Sequence, residues 1–163
     1  MDPVVPKPGS SMERVVKAAQ ALGLDVELRV MDQSTRTAQD AARACGCKVD
    51  QIVKSLVFEN AETGGLALVL ISGAHDADIE HLKRAHGLHL KRADGRRVRD
   101  ETGFAIGGVA PIGHKAPIAV WMDNTLLGFG DVWAAAGRPD SVFRVDPRSL
   151  VAATHASVID VRP

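Results

Sequence analysis

The sequence has few cysteines, no net charge and no long apolar run. Its two cysteines, Cys45 and Cys47, are one residue apart. Such a short loop does not suit an ordinary structural disulfide, and the second ligand pair of a zinc site is missing, so we expect reduced thiols. No apolar run approaches the ~18 residues of a membrane span, and the N-terminal sequence has the features of neither a signal peptide nor a lipid anchor. We therefore expect a cytoplasmic protein with no membrane partner.

A net charge of zero excludes a generally basic surface that coats nucleic acid. A local basic patch remains at residues 81–99, which are rich in Lys, Arg and His and contain one acid, Asp94. A solvated surface and a phosphate-binding surface explain this patch equally well. Its histidines do not predict a metal site, because His81 and His86 are five residues apart and no tight His/Asp cluster is visible. We expect exposed histidines and no metal.

Two families of functional motif are missing as well. The sequence contains neither GxGxxG nor GxxxxGK[ST], so the standard loops that bind nucleotide phosphates are not supported. It also lacks the G-x-S-x-G elbow of serine hydrolases. No cofactor is expected.

The length of 163 residues suits one domain, which would bury roughly 70% of its unfolded surface. We expect residues 1–163 to form this domain, with residues 1–10 flexible. Sequence patterns predict five helices, at 11–22 with Val15, Val16, Ala19 and Leu22 inward, at about 37–45, and at 76–85, 94–102 and 147–154. They predict strands at 25–31, 52–58, 66–72, 118–122, 132–134, 142–145 and 158–161. Irregular alternation favours an α/β protein of the α+β type with a mixed sheet.

Two stretches stand out chemically. Lys54 interrupts the apolar run 52–58 and would share one strand face with Ile52, Leu56 and Phe58. Residues 102–124 contain four glycines and two prolines, which favours a strand with a tight glycine-lined loop. A lysine suits a phosphate oxygen, and adjacent glycines expose amides to a developing oxyanion, so the pair suits a phosphate-bearing acyl substrate. Taken singly, a lysine that snorkels to solvent or a carboxylate and a β-bulge without a ligand are the safer interpretations.

The set of segments resembles the editing domain of prolyl-tRNA synthetase and its free-standing relatives, the YbaK and ProX type aminoacyl-tRNA deacylases. The resemblance covers residues 12–161. Its most specific elements are the lysine strand and the G-x-x-x-P element of Gly107 and Pro111. The segments that carry it are TAQDAARACG (37–46), IVKSLVF (52–58), the glycine of ISG (73), ETGFAIGGVAPIGH (101–114), MDNTLLGF (122–129) and AAAGRPD (134–140).

This resemblance implies a mixed, partly barrel-like β-sheet with flanking helices and a cleft where Lys54 faces the glycine loop. It implies hydrolysis in trans of the ester between a wrong amino acid and the terminal adenosine of a tRNA, with an aminoacyl-tRNA synthetase as an expected partner. The charge that meets Lys54 would arrive with the acceptor end of the substrate. The catalytic positions would be Lys54, Gly107 and Gly108. The substrate-binding positions would be Thr37, Ser55, Val109, Pro111, Gly113, His114, Ala134 and Gly137.

The substrate amino acid and the base stay open at this stage. The STRTA-containing branch handles small residues such as alanine or 2-aminobutyrate, whereas other members of the family remove cysteine, serine or threonine. Ser55 and Ala134 depart from the alanine-specific pattern. No general base is evident, so the ribose hydroxyl of the substrate would assist, with His114 as the nearest titratable alternative. A non-catalytic tRNA-binding or nucleic-acid-binding module and a small-molecule-binding regulator with the same cleft are the alternative functions.

Overall fold

The structure is a computed structural model that describes residues 5–31 and 37–163. In these ranges the helices are Ser11–Ala21 (α1), Ala38–Cys45 (α2), Ile79–His86 (α3), Gly95–Thr102 (α4) and Pro147–Thr154 (α5). The strands are Glu27–Val30 (β1), Val53–Asn60 (β2), Leu66–Ser72 (β3), Leu90–Arg92 (β4), Ala119–Asp123 (β5), Val132–Ala135 (β6), Ser141–Val145 (β7) and Ser157–Ile159 (β8). Short 3-10 helices lie at Val49–Gln51 and Asn124–Gly128.

Local side-chain chemistry starts and stops the helices as the sequence predicts. Ser10 and Thr37 accept hydrogen bonds from backbone N–H groups in the first turns of α1 and α2, and Asp94 and Asp146 do the same for α4 and α5. Each cap satisfies an N–H that has no partner within its own helix. Gly46 ends α2 in the left-handed conformation that glycine adopts without strain.

The strands form two sheets, as a mixed architecture requires. One sheet has the order β1-β7-β6 and is antiparallel; the other has the order β4-β2-β3-β5-β8, in which β5 runs parallel to both β3 and β8. In the described residues the sheets meet at one bridge, Ile52 to Trp133, and they do not close into a barrel. The predicted mixed sheet with flanking helices is confirmed.

Strand β3 lies between two apolar clusters, because its residues alternate between the two faces of the sheet. Leu68 and Leu70 belong to a central cluster between the sheets, which also contains Phe143. Val69 and Ile71 belong to a second cluster, together with Leu82 of α3; we call this the α3 cluster. All seven residues of β3 are buried, which confirms the predicted buried strand.

Three features of the local structure differ from the predictions. Residues 103–118 form an irregular loop and contain no strand, because glycines and prolines interrupt pairing along the whole segment. Strand β4, Leu90–Arg92, lies inside the basic patch and was not predicted, since three residues carry too short an alternation. Leu22 is exposed, because α1 ends one residue before it. The expected flexibility of residues 1–10 falls partly on residues 1–4, outside the described ranges.

Candidate functional site

A cavity of about 400 Å³ opens beside β2. This volume is within the range of small-molecule sites. Strand β2, strand β6, the start of α2 and two loops around residues 106–109 and 138–139 supply its walls. The predicted site residues that line it are Thr37, Lys54, Ser55, Gly107, Val109 and Ala134. Six of the eleven predicted positions therefore share one hollow.

The cavity exists because one edge of β2 is left open. Strand β2 pairs with β3 along its length but with β4 only from Phe58 to Asn60. The carbonyl oxygen of Ile52 accepts a bond from Gly73 (2.7 Å), so the even-numbered residues of β2 direct their backbone groups at β3. Residues 55 and 57 consequently direct their N–H and C=O groups at the open edge. Within the described ranges no strand pairs with them, and they face the cavity.

The ammonium of Lys54 is held at one end of the cavity by the loop that follows β3. It donates a hydrogen bond to the carbonyl oxygen of His75 and lies 3.3 Å from Oδ1 of Asp76. Asp76 therefore supplies a counter-ion in the free protein, which agrees with the alternative interpretation of a lysine that reaches a carboxylate. The Asp76 side chain is fully exposed. An ion pair with such a partner contributes little free energy, and a phosphate can displace it.

A buried carboxylate fixes the loop that holds Lys54. Asp123, at the end of β5, is 1% exposed. Its Oδ2 accepts a hydrogen bond from the backbone N–H of Ser72 (3.1 Å) and lies 3.0 Å from Nδ1 of His75. Asp123 thus holds His75, whose carbonyl oxygen accepts the hydrogen bond from the Lys54 ammonium. The sequence analysis assigns no role to Asp123 or His75, although Gly73 and MDN at 122–124 belong to the segments of the resemblance.

Ser55 lies in the cavity wall and carries a buried hydroxyl. Its Oγ is buried, and no hydrogen-bond partner for it exists among the described residues. Ser55 is opposite Leu70 in the β2–β3 register, whereas Lys54 is opposite Ile71. The two side chains therefore point to opposite faces of the sheet. Both line the cavity because the cavity runs past the open edge between those faces.

The glycine loop contributes backbone amides at Gly107 and Val109. No hydrogen-bond partner for either N–H occurs within the described part of the chain. The N–H of Gly108, in contrast, donates to the carbonyl oxygen of Ala105 (3.0 Å). A Cβ at Gly108 would lie 3.1 Å from the Cα of Arg138, so this glycine allows close packing of the two loops. Gly107 has φ +93°, a backbone conformation that glycine adopts without strain and that residues with a Cβ atom rarely adopt.

Five predicted positions do not line the main cavity: Gly108, which packs against Arg138, and four others. Pro111, Gly113 and His114 line a separate, smaller cavity of about 150 Å³. Nε2 of His114 lies 2.7 Å from the carbonyl oxygen of Ala110, and burial lowers the pKa of the imidazole. Gly137 packs against the backbone of α1, since a Cβ there would lie 3.0 Å from Ser11. The structure places these residues behind the glycine loop and the 138–139 loop.

Three of the cavity residues that the sequence analysis does not assign to the site add bulk or charge to it. Ile106, 64% exposed, stands at the mouth, and Trp133 and Arg138 line the wall. Arg138 lies 3.0 Å from Oδ2 of Asp140, which orients its guanidinium. Arg138 belongs to the segment AAAGRPD, which carries the resemblance, but the sequence analysis assigns it no part in the site. Trp133 carried no signal, because a tryptophan in a short strand is equally typical of the core.

Comparison with known proteins identifies the family. The sequence profile of the aminoacyl-tRNA editing domain matches residues 32–153, which is most of the chain. A solved structure described as a candidate trans-editing enzyme for prolyl-tRNA synthetase is 42% identical, with a TM-score of 0.88, over 98% of this chain and 99% of that one.

None of the helices in the described ranges has the length and hydropathy that a bilayer crossing requires.

Two curated relatives agree with this match. The Bacillus subtilis (strain 168) protein YwhH, described as uncharacterized, is 32% identical over 121 residues, which cover 73% of this chain and 75% of YwhH. A proline–tRNA ligase from Brachyspira hyodysenteriae (strain ATCC 49526 / WA1) is 24% identical over 109 residues. Those residues cover 65% of this chain but 18% of the ligase. The chain therefore belongs to the aminoacyl-tRNA editing domain family, of the YbaK type.

Proposed function

We propose that this chain is a trans-editing hydrolase, which removes a wrongly attached amino acid from tRNA by cleaving the ester. The observation that carries the proposal is one cavity lined by Lys54, by Gly107 and Val109, whose N–H groups have no partner among the described residues, and by the open edge of β2. A cation at one end suits the terminal phosphate of an RNA. Amide donors nearby suit the carbonyl oxygen of an ester. Family membership supports this assignment.

In the proposed reaction a water attacks the ester carbonyl carbon and forms a tetrahedral oxyanion. The N–H groups of Gly107 and Val109 donate to that oxyanion, and the intermediate then expels the ribose oxygen, which takes up a proton. The products are a free amino acid and an uncharged tRNA. An aminoacyl ester is already reactive, so positioning supplies much of the acceleration and the neighbouring ribose hydroxyl assists the water. His114 is no base in this scheme, because it lies in the other cavity and bonds to Ala110.

We propose a small amino acid, alanine or 2-aminobutyrate, as the preferred substrate, with proline-accepting tRNA as its carrier. The proline-related part rests on the solved relative described as a candidate trans-editing enzyme for prolyl-tRNA synthetase. A prolyl-tRNA synthetase is accordingly the proposed partner. Apolar walls from Ile52, Val57 and Trp133 favour an apolar side chain over a charged one. Cysteine, serine and threonine are the competing substrates, since Ser55 offers them a hydroxyl partner.

The RNA backbone has a proposed path beside the cavity mouth. Arg96 and Arg99 are exposed on α4, and they line a shallow pocket that shares Ile106 with the main cavity. Neither arginine has an ion-pair partner in the part of the chain that the structure describes. Arg97 differs, because its guanidinium is bound by Glu59 and other groups. Of the two interpretations of the basic patch, the pair of free arginines favours phosphate binding at this end of the patch.

A deacylation panel tests the function. Purified protein is mixed with tRNAs charged with alanine, 2-aminobutyrate, cysteine, serine, threonine and proline, and the surviving ester is measured over time. We expect hydrolysis of a small-residue ester and a loss of at least 100-fold with Lys54→Ala. Lys83→Ala is the matched control, because Lys83 is an exposed lysine on α3 that does not line the cavity. It should leave the rate unchanged.

Two other results would overturn the proposal. Salt-dependent tRNA binding without hydrolysis of any ester would favour the non-catalytic module. Binding of a free amino acid or nucleotide that is insensitive to Lys54→Ala would favour a small-molecule regulator. For the RNA path, Arg96→Ala together with Arg99→Ala should weaken tRNA binding and reduce the slope of log affinity against log salt by roughly 0.7 per lost phosphate contact. An unchanged slope would contradict that path.

A further inference from the structure

Three ligand atoms of a kind that binds metals converge on the surface of α3, away from the editing cavity. Nε2 of His81 lies 2.9 Å from Oδ1 of Asp160, and Nε2 of His86 lies 2.6 Å from the same oxygen. All three atoms lie within 4.8 Å of one another. The two imidazole rings stand edge to face, with centroids 5.6 Å apart. None of the three residues lines the cavity beside β2.

The fold explains why the histidines meet despite their five-residue spacing. His86 is the last residue of α3, and Gly87 then turns the chain in the left-handed conformation. Asp160 follows β8 and lies between Ile159 and Val161, which are both buried in the α3 cluster. Those two apolar anchors bring the carboxylate to the helix end. The sequence prediction of exposed histidines without a His/Asp cluster is therefore wrong, because the third residue is contributed from 74 positions away.

We propose that His81, His86 and Asp160 bind a divalent metal ion of the zinc class, which ties the C-terminal segment to α3. Two imidazole nitrogens and one carboxylate oxygen are ligands that zinc accepts at about 2.0–2.2 Å. Ligand atoms around a tetrahedral ion at that distance are about 3.3 Å apart. The present separations of 2.6 and 2.9 Å thus need to open by roughly half an ångström, which side-chain rotation provides.

The remaining coordination position faces solvent. The Asp160 side chain is half exposed, whereas both imidazoles are largely covered, so an ion approaches from the carboxylate side and keeps a water as its fourth ligand. Zinc binds imidazole through an unprotonated ring nitrogen, so protons compete with the ion and binding weakens at low pH. Its effect is on the fold, since binding to the native state stabilises that state by mass action.

Zinc titration of the full chain tests the proposal, with metal removed beforehand by a chelator. We expect one saturable zinc site and a rise in Tm on zinc addition. His86→Gln and Asp160→Asn should each weaken zinc binding at least 100-fold and abolish that rise. His89→Gln is the matched control, because its imidazole contacts Glu62 and stands outside the cluster. This control should bind zinc as the unchanged protein does.

Cobalt substitution of the unchanged protein distinguishes this site from the two cysteines. Co²⁺ held by nitrogen and oxygen shows weak visible bands and no sulfur charge-transfer band, and we expect that spectrum. Binding by thiolate is disfavoured, because burial raises the pKa of Cys45 to about 11 and also raises the pKa of Cys47. A sulfur band, the absence of a saturable site, or zinc affinity that survives both cluster variants would overturn the proposal. This measurement needs no variant, so it decides the question even if His86→Gln fails to fold.

Discussion

Replacing Ser55 with alanine should stabilise the protein while weakening the proposed reaction. The Ser55 hydroxyl is buried in the cavity wall, and the described residues give it no partner. Burying a hydroxyl without a hydrogen bond costs about 1–3 kcal/mol. Alanine removes that cost and loses the packing of one oxygen atom, which is worth a few tenths of a kcal/mol. We expect the free energy of unfolding to rise by about 1 kcal/mol, which corresponds to a Tm increase of about 2–4 °C.

The same change should reduce deacylation if the hydroxyl binds the substrate. A hydrogen bond between neutral groups has a net value of about 0.5–1.5 kcal/mol, so kcat/KM should fall about 2- to 10-fold. Urea unfolding and the deacylation assay measure the two effects on one preparation. An increase in stability together with a loss of rate identifies a polar group that is kept for the ligand rather than for the fold.

Ser72→Ala is the matched control for this argument. Ser72 is also a buried serine of the same sheet, but its Oγ donates a hydrogen bond to the carbonyl oxygen of Asp50 (2.8 Å). Its removal leaves that acceptor without a partner, so stability should fall by about 1 kcal/mol or more. If Ser55→Ala destabilises the protein by as much as Ser72→Ala does, the Ser55 hydroxyl has a partner in the free protein and the reasoning is refuted.

Four further predictions concern single positions. Gly73→Ala should lower the free energy of unfolding by about 1–3 kcal/mol in urea, because the new Cβ would lie 2.5 Å from a backbone carbonyl oxygen. Gly128→Ala should be nearly neutral, because a Cβ there meets nothing within 4 Å. Equal effects of the two changes would contradict the clash at Gly73. Thr37→Ala should cost about 1 kcal/mol through loss of the α2 cap, and the serine variant should restore it. Because burial lowers the pKa of His114 in the native state, the free energy of unfolding should fall as the pH drops from about 7 toward 5. The urea midpoint of His114→Gln should change less over this pH range than that of the unchanged protein. Asp76→Asn should tighten tRNA binding up to about 5-fold by freeing the lysine ammonium, and weaker binding would show instead that this carboxylate supports the site.

Local chemistry predicted most elements of the fold. Caps such as Ser10 and the left-handed Gly46 depend on a few neighbouring residues, so their helices were placed within one or two residues. Strand β3 was placed with its observed bounds, because a continuous run of six apolar residues before Ser72 permits few alternatives. The failures concern segments whose structure depends on distant partners. The loop at 103–118 is held by contacts such as that of Gly113 with α1, which no local pattern contains.

The candidate site also contains residues that the sequence predicts and others that depend on distant contacts. The sequence predicted Lys54 and the glycine loop as one site, and the structure places Lys54, Gly107 and Val109 around one cavity. Pro111 and His114, which the motif placed beside the glycine loop, line the smaller cavity instead. The sequence does not reveal Asp123 as a site residue, although its carboxylate holds the loop that contacts Lys54. Its importance depends on burial and on bonds across β3, and neither can be read from one sequence.

The open edge of β2 connects the fold with the proposed chemistry. An exposed strand edge is a liability, because its unpaired N–H and C=O groups recruit other chains. Here the start of α2 and the loops at 106–109 and 138–139 stand around the edge without pairing to it, so a cavity is left where another strand would otherwise lie. In the proposed complex the amine of the aminoacyl group can donate to a backbone carbonyl oxygen of residue 55 or 57, while the ester carbonyl accepts from the loop N–H groups of Gly107 and Val109. Under that proposal, side-chain changes around the cavity alter amino acid preference while the backbone groups that bind the aminoacyl ester stay in place.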